Sequence, residues 1–369
     1  MVTITTTEAA ATATFSNLCA ENGLLKRTGW KDGDIQEGFT DQNTLLRFLQ
    51  ANDMDPSLAL DQLRQATDFH TKNQALGLYD LIDVEDYEDT RRLYPTWTGR
   101  RDKHGRPLLM IDIAALSKEP MAHWRATRTA AAPAPSGQQQ QDGVQVTSRH
   151  TTNMAQRALI FFDGLTRFIL PLCSAVRDAQ TSSSCQSREE NGNGGVLKCV
   201  AIIDAATVSL KQGWDVREYA REISWILATC FPEVLDRIYL CNTPSIFSTI
   251  WKVLKGFVEP KTAEKIVVLT SCETYSALNA DIEHSSIPAS CGGGFAYQTG
   301  ILPDLDEEIR AALQWSVPQK KQFPPGPIKW VKSDDARQWR AIATGTIDGV
   351  ARADEVAVLS LNHRNGAQL

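Results

Sequence analysis

The sequence predicts an α/β fold, because segments typical of buried strands alternate with amphipathic helices over its second half. Cys199–Asp204 and residues 237–241 are short apolar runs rich in strand formers. Residues 266–269 form a third run of the same kind, and a helical segment at 215–230 separates the first two. Strands joined by helices in this way are expected to pair at least partly in parallel.

A helix with one wide apolar face is expected between the second and third of these strands. Pro244 suits its first turn, where a missing N–H costs nothing, and Gly256 and Pro260 are expected to end it. The residues alone favour a core helix packed on a sheet. Its bulky apolar residues are Phe247, Ile250, Trp251, Leu254 and Phe257, and its flanking cations are Lys252, Lys255 and Lys261.

The first quarter of the chain reads as helical. Thr40 or Asp41 can cap a helix over 43–51, and Asp55 begins another ahead of Pro56. Helices this short need a surface to pack on. Residues 1–13 are rich in threonine and alanine and are expected to be frayed.

The middle and the end of the chain give weaker signals. A turn-rich stretch at 94–107 precedes a strand at 108–113, and a helix is expected over 153–176, kinked or ended by Pro171. Low-complexity insertions are predicted near 126–150 and 180–195. Beyond residue 302 the sequence suggests a proline-rich strap, one late strand at 340–347 and loose final residues.

Composition excludes several function classes. Lysine and arginine number 38 against 44 aspartates and glutamates, so the formal net charge of −6 disfavours nucleic-acid binding. The eight cysteines have no CxxC spacing, which favours reduced, buried thiols in a cytosolic protein over disulfides or a zinc site. No signal peptide and no membrane-spanning segment is expected, so any membrane contact would be peripheral.

The motifs of the common enzyme classes are missing from the sequence. It contains no GxSxG, HExxH, P-loop or helix-opening GxGxxG. The run Gly292-Gly293-Gly294 lacks the Lys-Ser/Thr that would follow in a phosphate loop and predicts a turn. A binding protein without catalytic residues, cofactor or metal is therefore expected.

A series of motifs resembles the CRAL-TRIO family of lipid-exchange proteins over residues 41–295. The order and spacing of the motifs, more than any one of them, carry the resemblance. They are LLRFL at 45–49, DKHGRP at 102–107, Val200–Asp204, Pro232-Glu233, Asn242-Thr243-Pro244, the amphipathic helix, Pro260, Thr262, Lys265-Ile266, Ile287-Pro288 and Gly292-Gly293.

The resemblance implies a small helical domain leaning on an α/β lipid-binding domain, with a mixed, partly parallel sheet and a hydrophobic cavity. The implied division is a flexible 1–13, a helical 14–95, a lipid-binding 96–300 and a C-terminal extension 301–369. In this family the amphipathic helix is a movable gate over the cavity. Trp251 and the flanking lysines suit the interface between lipid headgroups and hydrocarbon.

The resemblance also implies a headgroup site at Glu233, Thr262 and Lys265. Taken alone, these residues read as ordinary solvated charges and a strand-edge lysine. In the family, a lysine can neutralise the phosphate, a threonine can donate to its oxygens and a glutamate can order the lysine. Relatives that bind phosphoinositides usually carry an Arg-Lys pair after the LLRFL helix, where this chain has Asn52 and Asp53.

These observations predict a cytosolic, monomeric protein that extracts one phospholipid, phosphatidylinositol or phosphatidylcholine, and contacts membranes transiently. The loss of the basic pair predicts a weaker preference for phosphatidylinositol than in fully basic relatives. An alternative is a lipid-sensing adaptor that regulates a protein or a lipid kinase without bulk transfer. An enzyme on the same fold is disfavoured.

Overall fold

The computed structural model describes residues 6–34, 42–127, 152–183, 195–333 and 337–361. The N-terminal part is helical, as predicted. Asp55 caps its third helix by accepting from the backbone N–H groups of Ser57 and Leu58 at 2.8 and 3.1 Å, whereas Thr40 and Asp41 lie outside the described residues. Its helices are α1 Thr6–Glu21, α2 Gln42–Ala51, α3 Pro56–Lys72, α4 Leu78–Leu81 and α5 Val84–Arg91.

The expectation that residues 1–13 are frayed is wrong beyond residue 5, because α1 begins at Thr6. Phe15 and Cys19 are fully buried in the main core and fix the helix to its neighbours. The alanines ahead of them are strong helix formers, so the helix extends back through them.

A five-stranded mixed sheet forms the centre of the molecule, which confirms the predicted α/β fold. The first two strands pair antiparallel, and every later neighbour pairs in parallel. The strands, which lie in this order across the sheet, are β1 Thr96–Arg101, β2 Pro107–Asp112, β3 Cys199–Asp204, β4 Leu235–Cys241 and β5 Ile266–Val268.

Strand β1 corrects the prediction of turns at 94–107. Its side chains are buried almost throughout, so the alternation that marks a half-buried strand is missing. Its pairing with β2 also shifts register between Trp97 and Arg101. Gly99 lies in that irregular region with φ of +89°, and a Cβ there would come within 2.4 Å of the Asp304 backbone.

Helices cover both faces of the sheet. Pro171 does not end the long helix: a π-helical turn, Leu165–Ile169, lies immediately before it and the helix continues to Ser183. Such a wider turn accommodates a residue without an N–H. The remaining helices are α6 Lys118–Thr127, α7 Met154–Gly164, α8 Leu170–Ser183, α9 Leu210–Asp215, α10 Arg217–Cys230, α11 Phe247–Leu254, α12 Pro260–Ala263, α13 Ser271–Asp281 and α14 Glu307–Ala312.

Within the described residues, the segment Met154–Ala179 is long and apolar enough to cross a membrane, contrary to the expectation of no such segment. Length and composition are the only grounds for that assignment. Of its most apolar window, 67% is buried inside the protein, as in the core helix of a folded domain.

The two faces of the sheet build separate cores. Leu109 and Ile111 of β2 enter the main core, which also contains α7, α8 and the buried side of α11. Leu108 and Met110, which alternate with them, enter a smaller core against α13. The helix α11 therefore lies over the same sheet face as the aromatic residues of α7.

Although residues 362–369 lie outside the described residues, the C-terminal part corrects the prediction of a single late strand, because several strands form there. Trp330 packs it onto the core: its ring stacks on Phe168 at 4.7 Å, and its Nε1 donates to the Phe168 carbonyl. An antiparallel sheet, ordered β6-β11-β8-β7, is made by β6 Leu313–Trp315, β7 Ile328–Lys332, β8 Gln338–Ala343 and β11 Asp354–Ser360, and a hairpin by β9 Thr346–Ile347 and β10 Val350–Ala351.

Candidate functional site

Three charged side chains meet at the amino-terminal edge of the parallel strands. Lys198 lies just before β3, Glu233 before β4 and Lys265 before β5. Since neighbouring parallel strands begin at the same edge of a sheet, these positions come together. The Oε2 atom of Glu233 accepts from Nζ of Lys198 and from Nζ of Lys265, each at 3.0 Å. One carboxylate is thus shared by two ammonium groups, and the cluster keeps one excess positive charge.

Partial burial strengthens these ion pairs. The Glu233 side chain is 15% exposed and that of Lys265 is 21% exposed. Burial pushes the pKa of the Glu233 carboxyl upward, but the bonds from Lys198 and Lys265 outweigh it, so the pKa lies below its usual range. Glu233 also has a φ of +56°, a conformation that non-glycine residues adopt rarely and that the surrounding structure must support.

Thr262 lies beside this cluster on the helix α12. Its carbonyl accepts from the backbone N–H of Lys265 at 3.1 Å, so the two residues share one turn. The Lys265 carbonyl in turn accepts from the N–H of Ile238, which fixes that turn against β4. The structure therefore brings the three predicted headgroup residues together. It adds Lys198, which sequence reasoning missed although, like Lys265, it directly precedes a strand of the sheet.

Asn52 and Asp53, the two positions that depart from the family pattern, lie close to the helix α12. Nδ2 of Asn52 donates to the Phe48 carbonyl at 2.8 Å, which holds that amide against α2. The Asp53 carboxylate lies 3.3 Å from Nζ of Lys261, the residue before Thr262. Because this pair is largely exposed, it contributes little to stability, but it places a negative charge near the rim of the cluster.

The predicted amphipathic helix divides its residues between the core and the surface. Phe247, Ile250 and Leu254 are buried in the main core, whereas Trp251 and Phe257 are partly buried. The rings of Phe247 and Trp251 stack at 6.3 Å. Phe257 lies in a 3₁₀ turn, Lys255–Phe257, under the Arg221 guanidinium.

The helix α9 packs against α11 and extends its exposed apolar surface. A Cβ on Gly213 would approach Ile250 to 2.7 Å, so only glycine allows this close crossing. We define the α9/α11 surface as Leu210, Trp214 and Ile246, which are 49%, 53% and 40% exposed, with the exposed lysines Lys211, Lys252 and Lys255. The α9 residues were not predictable from the sequence, because a six-residue helix is too short to show a helical period.

The described residues form two concave sites of different size. An open cleft of about 360 Å³ lies between residues 114–118 and the helix α9. A cavity of about 60 Å³ lies between α5, the π-helical turn and the C-terminal strap. A phospholipid is many times larger, so this cavity does not have the acyl-chain dimensions that the resemblance implied. Apolar side chains pack to nearly crystalline density when nothing separates them. The aromatic residues that line this small cavity are Tyr87, Trp97, Phe161, Phe162, Phe168 and Phe323.

Comparison with known proteins identifies the family. The CRAL/TRIO domain model matches residues 91–293. The SEC14 cytosolic factor of Candida glabrata is 24% identical over 276 residues, which cover 74% of this chain and 78% of that protein. The phosphatidylinositol/phosphatidylcholine transfer protein SFH11 of Arabidopsis thaliana is 24% identical over 271 residues, which cover 71% and 59% of the two chains.

A solved structure supports the fold independently of close sequence similarity. The crystal structure of Sfh5 aligns with 84% of this chain and 96% of its own, at a TM-score of 0.51 and 12% identity. That likeness concerns the fold alone. The family model spans more than half of the sequence, and the sheet and helices follow the predicted order. The chain belongs to the CRAL/TRIO domain family.

Proposed function

We propose that this protein is a cytosolic lipid-binding and transfer protein that takes up one phospholipid, phosphatidylinositol or phosphatidylcholine, and exchanges it between membranes. The observation that carries the proposal is the Lys198–Glu233–Lys265 cluster, which lies on the same domain as an amphipathic helix over an aromatic-rich core. The names of the relatives agree with it. The proposal requires no covalent chemistry and no cofactor.

The cationic cluster is suited to a phosphate group. Each lysine has three N–H donors and uses one of them on Glu233, so both retain donors for phosphate oxygens. Thr262 adds a hydroxyl on the adjoining turn. Glu233 keeps the two ammonium groups close together without a ligand, and a phosphate can share them without moving either strand.

Uptake requires the main core to open beneath α11. Two features make this helix the part that moves. Asn242, ahead of it, has a φ of +56°, a strained conformation that is often found at switch regions. The helix ends in a 3₁₀ turn, whose hydrogen-bond geometry is poorer than that of an α-helix. Movement of α11 would expose Phe247, Ile250 and Leu254 and allow the aromatic side chains to separate around acyl chains. Each methylene buried there contributes about 0.8 kcal/mol.

The α9/α11 surface fits the membrane that this step needs. Tryptophan and lysine side chains place apolar atoms at the acyl boundary while their polar ends stay hydrated. Each lysine close to an anionic surface adds about 1 kcal/mol of attraction. Docking through this surface would bring α11 to the bilayer, where its buried side can open without meeting water.

The test is transfer of labelled phosphatidylinositol and phosphatidylcholine between vesicles by the purified monomer, with no other protein added. Bound lipid is identified by native mass spectrometry. Transfer of either lipid with one lipid per chain supports the proposal. Absence of both transfer and bound phospholipid from well-folded protein overturns it.

One observation favours a lipid-sensing adaptor as a second candidate. The four-stranded C-terminal sheet lies outside the residues matched by the family model, and its hairpin exposes Ile347 and Val350, which are 49% and 45% exposed. Such an addition is suited to contact with another protein. Stoichiometric lipid binding without transfer between vesicles would favour this candidate.

A further inference from the structure

Two cysteine side chains meet at the edge of the sheet opposite the lysine cluster. Cys241 is the last residue of β4, and Cys291 ends the 3₁₀ turn Ala289–Cys291. Both belong to the smaller core, with exposures of 0% and 3%. Both thiols are free, and the side chain of Asn242, the residue after Cys241, reaches the Sγ atom of Cys291 at 3.8 Å.

The polar groups around Cys291 favour its thiolate. Its Sγ lies 3.8 Å from Nδ2 of Asn242 and 4.0 Å from Oγ of Ser290. Nδ2 of Asn242 is held in place because it also donates to Oδ1 of Asp204 and to the Ser290 carbonyl, at 3.1 and 3.0 Å. The bond from Cys241 lowers the pKa of Cys291, although burial and Asp204 oppose it, and the pKa of Cys241 is raised.

The other buried cysteines lack this arrangement. Burial raises the pKa of Cys19 to about 11 and the pKa values of Cys173 and Cys230 to about 12. A thiol with so high a pKa is inert toward oxidants. Cys291, in contrast, lies in a loop between the exposed residues Ser290 and Gly292, which places it close to solvent although it is itself 3% exposed.

We propose that Cys241 and Cys291 form a reversible disulfide in response to hydrogen peroxide. The Cys291 thiolate attacks one peroxide oxygen and breaks the O–O bond, giving a sulfenic acid at Cys291 and, after protonation, water. The Cys241 sulfur then attacks the Cys291 sulfur and displaces a second water. Overall, two thiols lose two electrons and two protons, and peroxide is reduced to two waters. A dithiol reductant reverses the step.

The new bond would close the chain from 241 to 291. That loop contains α11, α12 with Thr262, and Lys265, and Cys241 directly precedes the Asn242 hinge. A crosslink between the start of the gate segment and the loop after α13 restricts their relative movement. Slower lipid exchange in the oxidised protein rests on the proposed function, whereas formation of the disulfide does not.

The experiment treats the full-length reduced protein with a few equivalents of hydrogen peroxide and maps its peptides without reduction. We expect a Cys241–Cys291 crosslink that dithiothreitol removes, and its retention in Cys272→Ser, since Cys272 is an exposed cysteine elsewhere on the fold. Reaction mainly at other cysteines, irreversible oxidation of Cys291, or no reaction overturns the proposal.

The order of attack is tested in Cys241→Ser, where dimedone should trap a sulfenic acid at Cys291. If that variant does not fold, a brief iodoacetamide pulse on wild-type protein replaces it, and faster labelling of Cys291 than of Cys241 is expected. Equal or reversed labelling contradicts the assigned roles. Amide exchange in α11 then tests the restraint: slower exchange in the crosslinked protein supports it, and unchanged exchange overturns it.

Discussion

Lys265 and Glu233 precede adjacent parallel strands, and Nζ of Lys265 donates to Oε2 of Glu233 over 3.0 Å. Lys198 completes the cluster from the third strand at the same distance. Glu233 holds the Lys265 ammonium group in place, but the site stays positively charged, because one carboxylate is shared by two lysines. Selectivity between lipids is therefore expected to depend on whether headgroup atoms other than the phosphate also accept hydrogen bonds from these lysines.

Replacing either lysine tests this dependence. Lys265→Ala should lower phosphatidylinositol uptake about tenfold or more and phosphatidylcholine uptake much less, because the inositol hydroxyls offer the lysine further acceptors whereas choline is itself cationic. A charge-assisted hydrogen bond contributes roughly 1.5–3 kcal/mol. Lys198→Ala should act in the same direction. Competitive loading from mixed vesicles measures both, with Lys320→Ala as a control at an exposed lysine outside the cluster and the α9/α11 surface. Equal loss of both lipids would assign Lys265 a structural role.

Restoring the missing cations should change the preference between lipids. Asn52→Arg with Asp53→Lys removes the carboxylate near Lys261 and adds two positive charges beside α12. We expect a higher ratio of bound phosphatidylinositol to phosphatidylcholine at unchanged total lipid. An unchanged ratio would show that this rim does not face the headgroup.

The gate helix and the α9/α11 surface are tested by introducing negatively charged side chains. The double substitution Trp251→Asp and Phe257→Asp should abolish vesicle docking and lipid exchange, because a carboxylate enters the interface at high cost. Trp214→Asp should weaken docking, since its side chain is 53% exposed and makes few core contacts. Tyr275→Asp, at an exposed position on α13, is the matched control in a vesicle flotation assay. Wild-type exchange by the double variant would contradict the gate assignment.

Two glycines, one at the close crossing of α9 and α11 and one in open space, allow a matched test of that crossing. Gly213→Ala should lower the free energy of unfolding by about 1–3 kcal/mol, because its new methyl group meets Ile250 at 2.7 Å. Gly256→Ala, where nothing lies within 4 Å of the new Cβ, should cost far less. Urea unfolding measures both variants. Similar losses of unfolding free energy in the two variants would mean that the Ile250 side chain moves aside at little cost.

A buried histidine gives the fold a pH dependence. Burial, and next the Arg27 guanidinium, lower the pKa of His70 well below 6.5, and Arg27 donates to its Nδ1. The unfolded chain therefore binds more protons than the folded protein as the pH falls below about 6.5, so the free energy of unfolding should fall there. His70→Asn keeps an acceptor and should flatten this slope between pH 7.5 and 5.5. An identical slope would assign the effect to other groups.

Much of the fold was predictable because strand and helix signals alternate clearly around α11 and Asp55 caps α3. Pro244 was expected in the first turn of α11, but that helix begins only at Phe247. Prediction from the sequence failed where contacts between distant parts of the chain determine the secondary structure. Strand β1 is buried on both sides, and the short strands after residue 312 form because Trp330 and its neighbours pack on the π-helical turn.

The candidate site was predictable only in part. Glu233, Thr262 and Lys265 followed from the resemblance, and the sheet topology brings them together. Lys198 stands 35 residues before Glu233 and follows a low-complexity segment, so only the pairing of β3 with β4 reveals it. The size of the interior was not predictable, since it depends on how the aromatic side chains pack against one another.

The most direct test of the central claim is the identity of the lipid that the protein takes from vesicles containing phosphatidylinositol, phosphatidylcholine and a sterol. The protein is re-isolated by gel filtration, and its bound lipid is quantified by mass spectrometry. The account predicts one phospholipid per chain, with both phosphatidylinositol and phosphatidylcholine represented and the phosphatidylinositol share reduced in Lys265→Ala. Loading of the sterol alone, or of no lipid by folded protein, would contradict it.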